Sequence, residues 1–129
     1  MSDSNPAGRE VAICKQFRFE AAHYLPKVPE GHKCRRMHGH SWKFDVICRG
    51  PIDPDTGWFI DFGDISRVVK PIVEQYLDHY CLNDIQGLDN PTSEILCVWL
   101  WDKIKPDLPE LAEIVVYETC TSSCTFSGV

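Results

Sequence analysis

The sequence lacks any long hydrophobic run and any excess of positive charge. Its longest uninterrupted apolar stretch, Ile95 to Trp101, is far shorter than the roughly 20 residues that a membrane-spanning helix needs. The 13 Lys and Arg residues stand against 19 Asp and Glu residues, which gives a net charge of -6. Because binding to phosphates needs a basic surface, this charge argues against a nucleic-acid partner.

The sequence also has no pair of C-x-x-C motifs and no apolar signal-peptide segment within residues 1–10. Its 7 cysteines are odd in number. We therefore expect a cytoplasmic protein whose thiols are reduced, mostly buried and inert. The length of 129 residues and the 43% hydrophobic content fit one domain, which we predict over residues 11–129 after a flexible tail at 1–10.

Alternating apolar residues predict strands over residues 11–22 and 39–49. Runs of β-branched residues predict a third strand at 114–119 and a short fourth at 124–127. Two helices separate these pairs, so the order is ββααββ. This order is typical of an α+β fold, a four-stranded antiparallel sheet with two helices on one face. The opposite face and the sheet edges stay uncovered, and we therefore expect a homo-oligomer.

Apolar residues at helical spacing predict a first helix that is capped by Asp61 or Asp64 and ends near residue 78. Pro71 lies inside this pattern and should kink the helix or mark a late start. The second helix opens with Asn90 or Thr92 as its cap and continues to about residue 105. Its nearly continuous apolar run predicts burial against both the sheet and the first helix.

The segment His38-Gly39-His40 points to a metal site. In a strand, residues two apart project to the same face, so the two imidazoles lie side by side. The first strand carries His23 at the end of its own apolar face, and antiparallel pairing would bring it beside the other two. Three neutral nitrogen donors leave one position of a tetrahedral zinc open, as catalytic sites do. Sequence spacing alone also allows Cys34 to be a fourth ligand that closes a structural site.

The loop before His38 concentrates positive charge in an otherwise acidic protein. These residues could form a cationic rim for an anionic substrate such as a phosphate ester, or they could be solvated loop charges. The basic side chains of the loop are Lys27, His32, Lys33, Arg35 and Arg36.

Short motifs along nearly the whole chain resemble the 6-pyruvoyltetrahydropterin synthase superfamily. They are FEAAH at 19–23, PEGHKC at 29–34, HGH at 38–40, DTGW at 55–58, IDF at 60–62, LDH at 77–79, LNDI at 82–85, NPTSE at 90–94 and ETCT at 118–121. Within the superfamily they are most similar to the bacterial branch that forms 6-carboxy-5,6,7,8-tetrahydropterin for queuosine biosynthesis.

The resemblance implies a tunnelling fold (T-fold) whose trimers stack into hexamers, with active sites at subunit interfaces. It implies that zinc binds to His23, His38 and His40 and that Cys34 abstracts a proton. It also implies that Asp78 and His79 form a proton relay and that Glu118 anchors the pterin ring. From the residues alone, Asp78-His79 could equally end a helix, and Glu118 could be a paired interface carboxylate.

The implied reaction is the conversion of 7,8-dihydroneopterin triphosphate to 6-carboxy-5,6,7,8-tetrahydropterin, acetaldehyde and triphosphate, which makes the chain a carbon–carbon lyase. Two alternatives stay open. One is a sister enzyme, either the pyruvoyl-forming phosphate lyase or a folate-type aldolase; the other is a noncatalytic, zinc-stabilised pterin-binding module. The spacing Cys-x-x-x-His-Gly-His resembles the carboxy-forming group, because the pyruvoyl-forming group sets its cysteine further from the histidines and the folate-type group tends to use glutamate.

Overall fold

The computed structural model describes residues 5–129, so the first four residues of the predicted tail lie outside it. In the described part of that tail, Gly8 donates its backbone N–H to the carbonyl of Ile52, 3.0 Å away. The division into a tail and one domain stays a prediction. In chain order the elements are β1 (Glu10–His23), β2 (His38–Pro51), α1 (Phe62–Ile72), α2 (Ser93–Ile104), β3 (Leu111–Tyr117) and β4 (Ser123–Phe126).

The four strands form one antiparallel sheet in the order β1-β2-β3-β4, which confirms the predicted layout. β1 and β2 pair along their whole length, from Glu10 opposite Pro51 to His23 opposite His38. The register between β2 and β3 shifts after Ile47. The long β1–β2 pair therefore ends with histidines from both strands side by side.

The core lies between the sheet and the two helices. Alternate residues of β1 and β2 point into it, and their aromatic rings stack across the strands, Phe17 on Phe44 at 5.5 Å and Phe19 on Trp42 at 5.9 Å between centroids. From the helices, the buried residues that meet this face include Ile65, Val69, Leu96, Leu100 and Ile104. Among the described helices, none is long and apolar enough to cross a membrane.

Of the two predicted caps for α1, Asp61 is the one used, since its side chain accepts the N–H of Gly63 at 2.8 Å. Pro71 does not end the helix but lies in its last turn. Proline has no N–H to donate to the residue four positions back. The hydrogen bonding widens directly afterwards into a π-helical segment, Val73–Leu77. This wider turn delivers the chain to Asp78.

Helix α2 is capped by Thr92, whose hydroxyl accepts the N–H of Ile95 at 3.1 Å. Asn90 lies further out and does not cap the helix. The predicted burial of α2 against its neighbours is confirmed, because Leu96, Cys97 and Leu100 are fully enclosed.

The expectation that most thiols are buried is wrong. All 7 cysteines are free, but only Cys48 and Cys97 are buried. Burial raises the pKa of Cys48 to about 11 and that of Cys97 to about 12. Cys14 is exposed because it lies on the face of β1 that no helix covers.

The face of the sheet opposite the helices carries one buried carboxylate, Asp45, which is 7% exposed. It accepts hydrogen bonds from Gln16 Nε2 at 2.9 Å and from the Tyr117 hydroxyl at 2.5 Å. The hydrogen bond to Asp45 raises the pKa of Tyr117 to about 12, with burial as a further cause. The hydrogen bond between Tyr117 and Asp45 links β3 to β2 near the point where β3 ends.

Candidate metal and pterin site

The antiparallel register of β1 and β2 brings the three predicted histidines together. His23 lies opposite His38, and His40 lies opposite Ala21. The ring centroids are 4.6 Å apart for His23 and His38, 5.2 Å for His23 and His40, and 5.9 Å for His38 and His40. One nitrogen of each ring lies within 4.8 Å of the others. The histidines can therefore hold one metal ion.

Backbone carbonyls select which nitrogen each histidine offers. His23 Nδ1 lies 3.0 Å from the Pro91 oxygen, and His38 Nδ1 lies 2.8 Å from that of Arg36. His40 Nδ1 is likewise 3.1 Å from the Ser41 oxygen. Because a carbonyl oxygen only accepts, each of these bonds places the proton on Nδ1 and leaves the Nε2 lone pair free for a metal. The donor set is thus three neutral imidazoles, which suits zinc.

His23 is the most enclosed of the three ligands, at 4% exposure. Burial lowers its pKa below the usual value, with smaller contributions from the charges of His38 and His40. A lowered pKa keeps the imidazole neutral and able to bind a cation. Trp42 packs against His23 and His40, with centroids 4.7 and 4.1 Å away, so an aromatic side chain supports two of the ligands.

Glu118 follows directly after β3, and its backbone N–H donates to the Ser122 carbonyl at 2.9 Å. Its carboxylate accepts a hydrogen bond from Ser93 Oγ, with 2.7 Å between Ser93 Oγ and Glu118 Oε2. Its charge is close enough to raise the pKa of His23 against the effect of burial. The structure therefore places the predicted ring anchor beside the histidine cluster.

Sequence reasoning missed Ser93. Its position directly after the cap of α2 marked it only as part of a helix start. Its place in the motif at 90–94 could have pointed to it. In the structure, Ser93 of this motif contacts Glu118, and Pro91 contacts His23.

Cys34 lies in a short 3-10 turn, Lys33–Arg35, between β1 and β2. Its backbone N–H donates to His32 Nδ1 at 3.1 Å, and its carbonyl accepts the N–H of Leu25 at 2.7 Å. Its side chain is partly exposed. Within residues 5–129 the histidine cluster does not include this thiol, so the structure favours an open three-histidine site over one closed by Cys34.

Asp78 and His79 lie along the outer edge of β1. Asp78 Oδ1 accepts the backbone N–H of Glu20 at 2.9 Å, and His79 donates its own N–H to the Glu20 carbonyl at 2.6 Å. The hydrogen bond from Glu20 lowers the pKa of the Asp78 carboxyl, and His79 lowers it further. Asp78 Oδ2 lies 3.0 Å from His79 Nδ1. The two residues thus form a pair whose orientation is set by a strand of the sheet.

The imidazole of His79 is directed outward. Its side chain is 79% exposed, and its backbone adopts a φ of 68°, which is uncommon for a residue with a side chain. His79 and His40 line the same surface depression, which has a volume of about 480 Å³. His79 therefore shares this depression with His40, one of the three candidate metal ligands.

Within the basic loop, the guanidinium of Arg35 holds the loop itself together. Its Nη1 donates to the carbonyls of Pro26 at 3.3 Å and Val28 at 3.0 Å. The side chains of Lys33 and Arg36 are exposed. The loop therefore keeps exposed positive charge around Cys34, and its role toward an anionic substrate stays a prediction.

Comparison with known proteins agrees with this geometry. Residues 12–129 match the family described as 6-pyruvoyl tetrahydropterin synthase. A Synechocystis protein named 6-carboxy-5,6,7,8-tetrahydropterin synthase is 42% identical over 119 residues, covering 88% of this chain and 91% of that protein. A Bacillus subtilis protein of the same name is 28% identical, covering 87% of this chain and 82% of that protein.

The fold has a close structural counterpart. The structure of Caenorhabditis elegans 6-pyruvoyl tetrahydropterin synthase superposes with a TM-score of 0.85 at 24% identity, covering 95% of this chain and 99% of that one. This likeness shows the predicted T-fold, while the family match extends over nearly the whole chain. The chain belongs to the 6-pyruvoyl tetrahydropterin synthase family.

Proposed function

We propose that this chain is a zinc-dependent lyase that converts 7,8-dihydroneopterin triphosphate to 6-carboxy-5,6,7,8-tetrahydropterin, acetaldehyde and triphosphate, as a step in the biosynthesis of queuosine and related 7-deazapurines. The observation that carries the proposal is the convergence of one nitrogen from each of three histidines within 4.8 Å, with Glu118 near enough for its charge to act on His23. The 42% identical relative of that name and the Cys-x-x-x-His-Gly-His spacing support this reaction over its relatives.

Glu118 binds and orients the pterin ring. A carboxylate can accept two parallel hydrogen bonds, from the ring N–H and from the adjacent amino group. His23, His38 and His40 hold the metal, with His23 as the enclosed member of the set. When bound, zinc would act as a Lewis acid that stabilises negative charge on the side-chain oxygens of the substrate.

Cys34 takes a proton from the substrate side chain. A cysteine thiolate can serve as a general base, and the loop that carries Cys34 also exposes the charges of Lys33 and Arg36. Cys34 stands outside the histidine cluster, which leaves its sulfur available as a base.

His79 moves a proton to or from the reacting carbons, and Asp78 orients it through the contact of 3.0 Å between Asp78 Oδ2 and His79 Nδ1. The hydrogen bonds of this pair to Glu20 hold it at the rim of the depression shared with His40. The exposure of His79 and the position of β1 and β4 as the edge strands of the sheet support assembly into a homo-oligomer, which we propose is a hexamer of two trimers with sites completed at subunit interfaces.

Product analysis tests the proposal. The zinc-loaded protein is incubated with 7,8-dihydroneopterin triphosphate, and the products are identified by mass spectrometry. We expect 6-carboxy-5,6,7,8-tetrahydropterin and acetaldehyde. A pyruvoyl product that keeps all side-chain carbons would assign the chain to the sister reaction, and tight pterin binding without turnover would favour the noncatalytic module.

A further inference from the structure

The segment that opens α2 contacts both halves of the site. The Pro91 carbonyl lies 3.0 Å from His23 Nδ1, and the Ser93 hydroxyl donates to Glu118 Oε2 at 2.7 Å. We propose that Ser93 is a positioning residue, whose hydroxyl sets the plane of the Glu118 carboxylate for recognition of the pterin ring. This inference rests on the proposed function, which gives Glu118 that ring.

Glu118 needs such a partner because its position leaves its side chain free to rotate. The residue lies in the turn after β3, where its backbone N–H donates to the carbonyl of Ser122 in the same turn. A glutamate side chain has three rotatable bonds, and immobilising it costs free energy each time a ligand binds. A hydrogen bond made before binding reduces that cost.

Ser93 is suited to this task by its own burial. It is 7% exposed and is the first residue of α2, a helix of 12 residues that packs on the sheet. The helix therefore fixes the position of the hydroxyl. Hydrogen bonds to a carboxylate are among the shorter and stronger ones in proteins.

The hydrogen bond leaves the carboxylate able to bind the ring. Each carboxylate oxygen can accept two hydrogen bonds, so Ser93 occupies one of the two positions on Glu118 Oε2. One position on this oxygen and both on the other stay available for the parallel N–H and amino donors of a pterin. Ser93 thereby determines which direction those positions face.

The same segment acts on the metal ligand. The Pro91 carbonyl keeps the His23 proton on Nδ1, so that Nε2 faces the metal. Pro91 and Ser93 are two residues apart, and one helix start therefore sets both the ring anchor and a metal ligand.

Binding of free pterins tests the proposal without requiring turnover. The probes are 7,8-dihydropterin and 7,8-dihydrolumazine, which carries an oxygen in place of the 2-amino group and cannot donate the second hydrogen bond to Glu118. The variants are Ser93→Ala and Ser93→Thr, which restores the hydroxyl. The control is Gln16→Ala, because Gln16 Nε2 also donates to a carboxylate, Asp45 Oδ1 at 2.9 Å, on the face of the sheet that carries no ligand of the site.

For Ser93→Ala we expect the Kd for the pterin to rise about tenfold while the Kd for the lumazine changes much less, since the lost orientation affects the bidentate contact. Zinc content should stay unchanged, and Ser93→Thr and Gln16→Ala should bind as the original protein does. An unchanged preference for pterin in Ser93→Ala, or an equal loss for both probes, would overturn the positioning role. If the original protein itself showed no preference for the 2-amino group, the assignment of Glu118 would fail together with this inference.

Discussion

Replacing His38 with alanine should remove the stabilisation of the fold by zinc. One nitrogen of each of the three rings lies within 4.8 Å of the others, and the Nδ1 of each ring is hydrogen-bonded to a backbone carbonyl. Metal binding therefore requires little rearrangement of the folded chain, whereas an unfolded chain does not hold the three rings together. A ligand that binds only the folded state stabilises it by an amount that depends on its free concentration relative to its Kd.

The size of the effect follows from this linkage. At a free zinc concentration of 100 times the Kd, the gain is about 2.7 kcal/mol. For a chain of 129 residues, an unfolding entropy of roughly 2.1 cal/mol/K per residue converts this gain to a Tm increase of about 10 °C. If the loss of one ligand raises the Kd at least 100-fold, the same zinc concentration stabilises the variant by less than about 0.4 kcal/mol.

Differential scanning calorimetry with and without zinc measures both values, and metal analysis gives the stoichiometry. The matched control is His32→Ala, because His32 is exposed in the loop and lies outside the histidine cluster. This variant should keep the full zinc-dependent increase in Tm. A His38→Ala protein that still gains about 10 °C, with one zinc per chain, would refute the three-histidine site.

Three further predictions concern other parts of the molecule. Cys34→Ala should keep zinc and pterin binding but lose turnover, because the thiol stands outside the metal cluster; loss of zinc would contradict its role as the base. Tyr117→Phe should remove the tyrosine that titrates at about 12 in an ultraviolet absorbance titration. Because the folded protein holds this proton more tightly than the unfolded chain, the free energy of unfolding of the original protein should fall as the pH rises from about 10 to about 12. A Tyr117→Phe variant whose free energy of unfolding falls equally over this range would disprove the hydrogen-bond assignment. Gly50→Ala should lower the free energy of unfolding by about 1–3 kcal/mol, because the added methyl would overlap the Phe59 ring. The control Gly39→Ala, whose methyl would lie 3.9 Å from the Ala21 carbonyl oxygen, should change stability much less in thermal melts of the metal-free protein.

Local pattern was sufficient for the elements and for the metal cluster. The strict alternation in β1 and β2 placed His23, His38 and His40 on one face, and pairing in the simplest antiparallel hairpin register then brought them together. The prediction of the cluster needed only the two-residue period of a strand and antiparallel pairing, because all three residues lie in one hairpin. The caps of both helices were likewise among the residues that local chemistry favours, although the choice of Asp61 and Thr92 came from the structure.

The surroundings of the site depend on contacts between distant parts of the chain. Ser93 and Glu118 are 25 positions apart, and Glu20 and Asp78 are 58 apart. No periodicity predicts such pairs, because they exist only once α2 has packed on the sheet and the π-helical segment has delivered Asp78 to the edge of β1.

By itself, the sequence determined the order of strands and helices, the face that carries the histidines and the family resemblance, since each depends on neighbouring residues or on motifs. The tertiary structure decided which carbonyl selects the tautomer of His23, which hydroxyl holds Glu118 and where the Asp78–His79 pair lies. These features come from packing, in which the position of each side chain depends on elements that the chain reaches much later.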